Sequence, residues 1–286
     1  MFRDMKLRQK MTLLFSVIFI VIFSVIFFVI TTTITTKLKN STFENTKNLA
    51  YKYSTSISAV FESTMGSIKA LASSFLCYED VNPNDRRSLY RLLMSKSLES
   101  NDKFLSVWTI WERDAIDGMD NRFINRVGSN EVGRFVATYY RNDNKILEQI
   151  ENEESISTGD YYLIPKNTKK LFISEPYYYS YTDDDKNPFY ETTVAMPLLG
   201  NGKFIGVVGA DINFSVYQKI VSEIKPFETG YSMLLSKDST IIYHPDKDNI
   251  GKKFNEIDEE CNEKYGIEQK ISEGKEYGFI DTMDGS

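Results

Sequence analysis

Nine of the 18 tyrosines in this 286-residue chain fall between Tyr139 and Tyr190. A tyrosine joins an apolar ring to a hydrogen-bonding tip, the mixture that a concave site for a small polar molecule requires. Tyrosine also suits half-buried strand faces, so its density alone does not separate a pocket from ordinary sheet. Asp211 adds a second signal. It lies near the end of Lys203–Asn213, where alternation places Ile205, Val207, Gly209 and Asp211 on one face. A carboxylate that continues an apolar face is costly unless it is paired, caps a segment or lies at the module's edge. Facing a ligand, it would accept a hydrogen bond from an ammonium or hydroxyl donor.

Other chemistries fare poorly. The one histidine, His244, argues against His-rich metal sites and a His-based triad, and in Tyr243-His-Pro-Asp246 it reads as a turn residue. Cys77 and Cys261 stand 184 positions apart and form no CxxC. Gly200-Asn-Gly-Lys-Phe-Ile-Gly206 has one residue too many for GxGxxG and leads into a strand. Asp183–Asn187 hints at a calcium loop, but Pro188 and Val194 stand where Gly and Glu are required, so a solvated loop is expected. No catalytic residue, cofactor or metal is therefore expected, and the chain reads as a non-enzyme. Lys plus Arg total 34 against 40 Asp plus Glu, for a net charge of −6, which argues against a nucleic-acid partner.

The elements that must position these residues begin with a membrane segment. Residues 1–10 carry a local +3, which leaves −9 on the other 276 residues. Residues 11–30 follow with no charge, and at ~1.5 Å each, about 20 residues cross the ~30 Å hydrocarbon core. The run is longer than a signal-peptide core and lacks an A-x-A cleavage pattern, so an uncleaved anchor is expected. Its basic flank predicts residues 1–10 inside, 11–33 spanning and the remainder outside. From 34 to 76, a stripe at Ala50, Tyr53, Ile57, Val60, Thr64, Ile68, Leu71 and Phe75 has helical spacing. Such a stalk helix either runs along an elongated ectodomain or pairs with a second copy, and a homodimer through the stalk is the expected assembly.

Asn82-Pro83-Asn84-Asp85 breaks the chain and offers a cap for a helix over Arg86–Leu98. Strands are predicted at Phe104–Trp111, Arg134–Arg141, Leu171–Ser174, Phe189–Leu199 and Lys203–Asn213. A helix around Tyr217–Ile224 and a hairpin of Tyr231–Leu235 with Thr240–Tyr243 follow, and strand texture at Tyr277–Thr282 still runs where the sequence stops, so it looks cut short. The fold class is α+β, with a transmembrane helix, a long stalk helix and two tandem modules with antiparallel sheets.

The ordered set Trp108–Glu112, Gly133–Arg141, Tyr161–Lys166, Glu175–Tyr179, Met196-Pro197, Gly202–Ile212, Tyr243–Asp246 and Ile250–Lys252 resembles the double Cache sensor domains of bacterial methyl-accepting chemotaxis receptors. The resemblance runs from about residue 35 to the end. It implies two PAS-like modules: a membrane-distal one at 77–213 that binds a small polar organic ligand, and a membrane-proximal one at 214–286, incomplete and usually empty. It also implies signalling across a membrane by a chemoreceptor. A histidine kinase or a cyclic-dinucleotide enzyme is the alternative output, and an anchored extracellular enzyme is a third reading. In the amino-acid-binding branch, an aspartate at the position of Asp211 takes the ligand ammonium, and an arginine two residues before a Trp-Tyr pair takes the carboxylate. The pair here looks like Tyr161-Tyr162, and Gly159 stands where the arginine would be. The expected ligand site is Trp111, Tyr139, Tyr161, Tyr162, Tyr177 and Asp211, with weak or no binding of ordinary α-amino acids.

Overall fold

A computed structural model describes residues 6–142, 145–181 and 188–279. The Asp183–Asn187 loop, residues 1–5 and residues 280–286, which include part of the expected last strand, lie outside the described residues. Contacts divide the chain into two units, Met1–Lys52 with Tyr277–Ser286, and Tyr53–Glu276. A single helix, α1 (Leu7–Leu76), contains both the expected span and the expected stalk without a break. In the first unit its apolar side chains from Leu13 to Ile30 are exposed, and it is long and apolar enough to cross a membrane.

In the second unit the stripe on α1 turns inward. Thr64, Ile68, Leu71 and Phe75 are buried, and Ile57 and Val60 pack against the same core. That part of the stripe is occupied by the molecule's own sheet and is not open to a second copy. The turn at Asn82 closes with the Asp85 N–H donating to the Asn82 carbonyl at 2.9 Å. Helix α2 (Arg86–Ser100) follows, with Asp85 at the N-cap position but making no side-chain cap bond.

The sheet is built from β1 (Phe104–Trp111), β2 (Ala137–Asn142), β3 (Lys145–Ile150), β4 (Phe172–Ile173), β5 (Tyr177–Tyr179), β6 (Phe189–Gly200) and β7 (Lys203–Asn213). Its order is β3-β2-β1-β7-β6-β4, with β5 also on β6, and every pairing is antiparallel. The predicted β1 and β7 match in both bounds, because their β-branched and aromatic runs end at turn residues. Two helices in the segment between β3 and β4, α3 (Glu153–Thr158) and α4 (Asp160–Thr168), were not read from sequence. Each is under three turns, too short for its periodicity to stand out. The Asn152 side chain caps α3 by accepting from the Ser155 N–H at 2.8 Å.

Alternation along the strands divides the core in two. One sheet face carries Val107, Trp111, Ala137, Val194, Val208, Ala210 and Ile212 and packs against α1 and α2. The other carries Trp108, Ile110, Ala195 and Val207 beneath Ile156 and Tyr162 of α3 and α4. After β7, α5 (Ser215–Ser222) leads to a two-stranded sheet, β8 (Leu234–Leu235) and β9 (Ile241–Tyr243), and to the short helices α6 (Phe254–Ile257), α7 (Glu259–Tyr265) and α8 (Ile267–Ser272). Ile242 joins the first core, and the Tyr190 hydroxyl donates to the Ile241 carbonyl at 2.9 Å, so this segment belongs to the same compact unit as the large sheet.

Candidate ligand-binding site

Asp211 sits on the second sheet face, only 7% exposed. Its neighbours across the ladder are Ser106 of β1 and Thr193 of β6. A bulge at Leu105 sets that register: two residues of β1 oppose one of β7, which turns Ser106 toward Asp211 and Leu105 toward Tyr140 and Tyr181. The Ser106 hydroxyl donates to Oδ2. Thr193 Oγ1 donates to Oδ1 at 2.7 Å, the Tyr181 hydroxyl to Oδ2 at 2.9 Å, and Trp108 Nε1 to Oδ1 at 3.4 Å. Burial drives the Asp211 acid up, and these four donors pull it back toward the ionised form. None of the four is charged, so among the described residues the carboxylate is solvated by hydrogen bonds but not neutralised.

The surroundings are acidic and aromatic. Glu191, fully buried on the same face of β6, lies 3.1 and 3.3 Å from the Tyr181 hydroxyl. Burial and the Asp211 charge push Glu191 up to about 9. The same two causes raise Glu151, which follows β3. The Tyr177 hydroxyl bonds Thr193 Oγ1 at 2.5 Å, and Tyr179 and Tyr181 meet edge to face at 4.8 Å. Burial first, then the nearby acids, holds the phenols of Tyr161, Tyr177, Tyr179 and Tyr181 in the neutral, donor-capable form.

Two glycines shape this cluster. A Cβ on Gly209 would lie 2.2 Å from the Trp108 ring, so a glycine there lets the indole lie flat over β7 with its N–H toward Asp211. Tyr161 meets that indole edge-on at 5.5 Å. A Cβ on Gly159 would lie 2.4 Å from the Tyr161 ring. The position to which the resemblance assigns an arginine is thus covered by Tyr161.

Of the residues expected at the site, Asp211, Tyr161 and Tyr177 gather around one carboxylate cluster. Tyr162 shares the face but not the place. Its hydroxyl accepts from Arg134 Nη2 at 2.5 Å and from Lys166 Nζ at 3.2 Å, and donates to Glu112. The Arg134 guanidinium also donates to the Trp111 carbonyl, five positions along β1 from Ser106. Trp111 and Tyr139 are corrections. Trp111 lies on the opposite face in ring contact with Phe75, Tyr78 and Tyr90, because residues three apart on a strand point to opposite sides. Tyr139 pairs with Val107 on that face and donates to Glu148 at 3.0 Å. Sequence reasoning missed Ser106, Trp108, Tyr181, Glu191 and Thr193. The alternation of β1 and β6 would have found four of them once the strand pairing was known. Arg141 is bonded to the carbonyls of Leu98, Phe104 and Asn101, so it supplies no ligand cation either. His244 closes a turn, its Nδ1 accepting from the Asp246 N–H at 3.0 Å.

An antiparallel sheet with α1 and α2 on one face, and with α3, α4 and a buried cluster of acids and tyrosines on the other, is the architecture of a sensor domain. The chain belongs to the Cache domain family, whose sequence profile matches residues 31–286. Among curated proteins it resembles the methyl-accepting chemotaxis protein TlpQ of Pseudomonas aeruginosa, 28% identical over 137 residues, which is 43% of this chain and 19% of TlpQ. It spans about a fifth of that relative. Among solved structures, the extracellular domain of the putative histidine kinase mmHK1S-Z3 superposes with a TM-score of 0.66 at 25% identity, covering 77% of this chain and 76% of that one. The ligand-binding domain of the P. aeruginosa PAO1 amino acid chemoreceptor PctC, in complex with GABA, shares the fold with a TM-score of 0.53 at 17% identity, covering 76% of this chain and 81% of that one.

Proposed function

We propose that this chain is the extracellular sensing region of a transmembrane chemoreceptor and that its ligand is a small organic cation held at Asp211. The basic flank before the apolar part of α1 supports an inside N-terminus and an outside sensor. One observation carries the ligand class: a buried, ionisable carboxylate ringed by neutral donors, beside two further acids, with no cationic side chain bonded to it among the described residues. An ammonium supplies the missing positive charge, and Trp108, Tyr161 and Tyr177 supply an aromatic wall of the kind that attracts cations. GABA, the ligand of the PctC structure, carries an ammonium and a carboxylate. Among the described residues only the ammonium has a partner, since Gly159 replaces the arginine and Arg134 and Arg141 are engaged elsewhere.

The mmHK1S-Z3 likeness favours a second reading of the output: the same sensing region preceding a histidine kinase. The ligand claim is the same for both. Calorimetry on the full chain in detergent, with n-butylamine, 1,4-diaminobutane, GABA and L-valine, tests it. The amines should bind, and the two amino acids should bind roughly 10- to 100-fold more weakly, since each leaves a carboxylate unpaired near acids at about 1–3 kcal/mol. L-valine binding as tightly as n-butylamine would overturn a cation-only site.

A further inference from the structure

Glu191 and Asp211 approach one hydroxyl. Tyr181 Oη stands 2.9 Å from Asp211 Oδ2 and 3.1 and 3.3 Å from the two oxygens of Glu191. A phenol has one hydrogen and cannot donate to both acids. Asp211 collects three other donors, from Ser106, Thr193 and Trp108, so it is the acid kept ionised and it takes the tyrosine hydrogen. The Tyr181 lone pairs then face Glu191, which is fully buried. Tyr177 also reaches Glu191, but its one hydrogen goes to Thr193 Oγ1, whose own hydrogen goes to Asp211. A carboxylate facing lone pairs in a buried site is strongly disfavoured, whereas a carboxylic acid donates its own hydrogen to Tyr181 and completes the chain Glu191 to Tyr181 to Asp211.

The groups around Glu191 reinforce this arrangement from each element. Asp211 stands on β7, Tyr177 and Tyr179 on β5 and Tyr181 just after it, while Glu151 after β3 and Tyr161 on α4 stand near Asp211. Among the described residues these titratable groups are all acids or phenols.

Resting on the reading that an organic cation is the ligand, we propose that Glu191 is a second ligand-specifying group, neutral in the empty site, which gives its proton to solvent when the cation binds. In that step the ligand ammonium donates to Asp211 in place of Tyr181. The Tyr181 hydroxyl turns and donates to Glu191, the Glu191 O–H bond breaks, and its proton passes to water. No bond to the ligand is made or broken, so binding exchanges a proton for a cation. The bound site then holds two carboxylates, and a ligand with two ammonium groups matches it better than one with a single charge. From about 9 in the empty site, an ammonium at contact range would lower the Glu191 acid by ~1–3 units, which brings it through neutral pH.

Calorimetry on the full chain at pH 7.5, with 1,4-diaminobutane and n-butylamine in phosphate and in Tris, counts the protons through the difference in buffer ionisation heat. The expected release is roughly 0.2–0.9 proton per ligand bound, given that lowering. Affinity should rise by up to about tenfold per pH unit between pH 6.5 and 8.5, one proton being linked. Glu191→Gln should bind without release and with flat pH dependence, and it should lose most of the preference for the diamine. Wild-type binding with no proton release and no pH dependence would overturn the exchange while leaving the cation site standing. Failure of both amines to bind would overturn the cation reading itself, and the exchange with it. The wild-type count needs no variant, so a misfolded Glu191→Gln would not blunt the test.

Discussion

Asp211→Asn separates a ligand role from a structural one. The structure indicates how the amide would be received. Placed with its oxygen at the Oδ1 position, Asn still accepts from Thr193 and Trp108, the latter a donor only. Its NH₂ group then points at the hydroxyls of Ser106 and Tyr181, which can turn and accept. Every neighbour keeps a partner and a buried charge is removed, so stability should change by no more than ~1 kcal/mol, about 2–4 °C in Tm for a domain of this size. The affinity should change far more. A charge-assisted hydrogen bond is worth about 1.5–3 kcal/mol, which is roughly a 10- to 150-fold loss for n-butylamine or 1,4-diaminobutane. Asp211→Ala is a poorer test, because it leaves buried donors without an acceptor at ~1–3 kcal/mol each and mixes the two effects. Calorimetric titration and a thermal melt on the same Asp211→Asn sample give both numbers. Unchanged amine affinity together with a melt lowered by more than about 10 °C would show that Asp211 is a structural anchor, and the ligand assignment would fall.

Gly209→Ala puts a methyl into the Trp108 ring, so the indole must leave Asp211 and Tyr161. Overpacking of this kind costs ~1–3 kcal/mol, and amine affinity in calorimetry should fall with it; full affinity would mean Trp108 does not line the site. The Arg87 guanidinium, 1% exposed, binds Asp117 and Asp120 at 2.7 and 2.6 Å and lies 4.2 Å from the Phe123 ring. Arg87→Leu strands two buried carboxylates, and chemical denaturation should show a loss of about 3–5 kcal/mol. Glu191 has its acid raised in the folded state, to about 9, so the native state holds a proton that the unfolded chain releases near its ordinary value. Stability therefore falls as pH rises from about 4.5 toward 9, by up to ~1.4 kcal/mol per unit, and Glu191→Gln should remove that slope; identical slopes in both proteins would refute the assignment.

What was legible in the sequence was local. The apolar run before Ile30, the period of the α1 stripe, and the bounds of β1 and β7 each follow from a pattern within one segment. So did the position of Asp211 on an apolar strand face, since alternation has a period of 2 whatever the strand pairs with. What the stripe packs against was not local: a helix period states which side is apolar, and the fold placed this molecule's own sheet there. Tyr161 and Tyr162 are adjacent in sequence, yet a helix turns ~100° per residue, so one reaches Trp108 and the other reaches Arg134 and Glu112. Which tryptophan of β1 shares the face of Asp211 depends on the Ser106–Asp211 register, which the bulge at Leu105 sets. Glu191 and Tyr181 lie 20 and 30 residues from Asp211 along the chain, and no spacing rule joins them. The antiparallel pairing of β6 with β7 and the return of the chain through β5 bring them to one hydroxyl. Tertiary structure alone decided that two buried acids stand beside one hydroxyl in the candidate site, because the energy of a buried charge depends on what surrounds it in space and not on its neighbours in sequence.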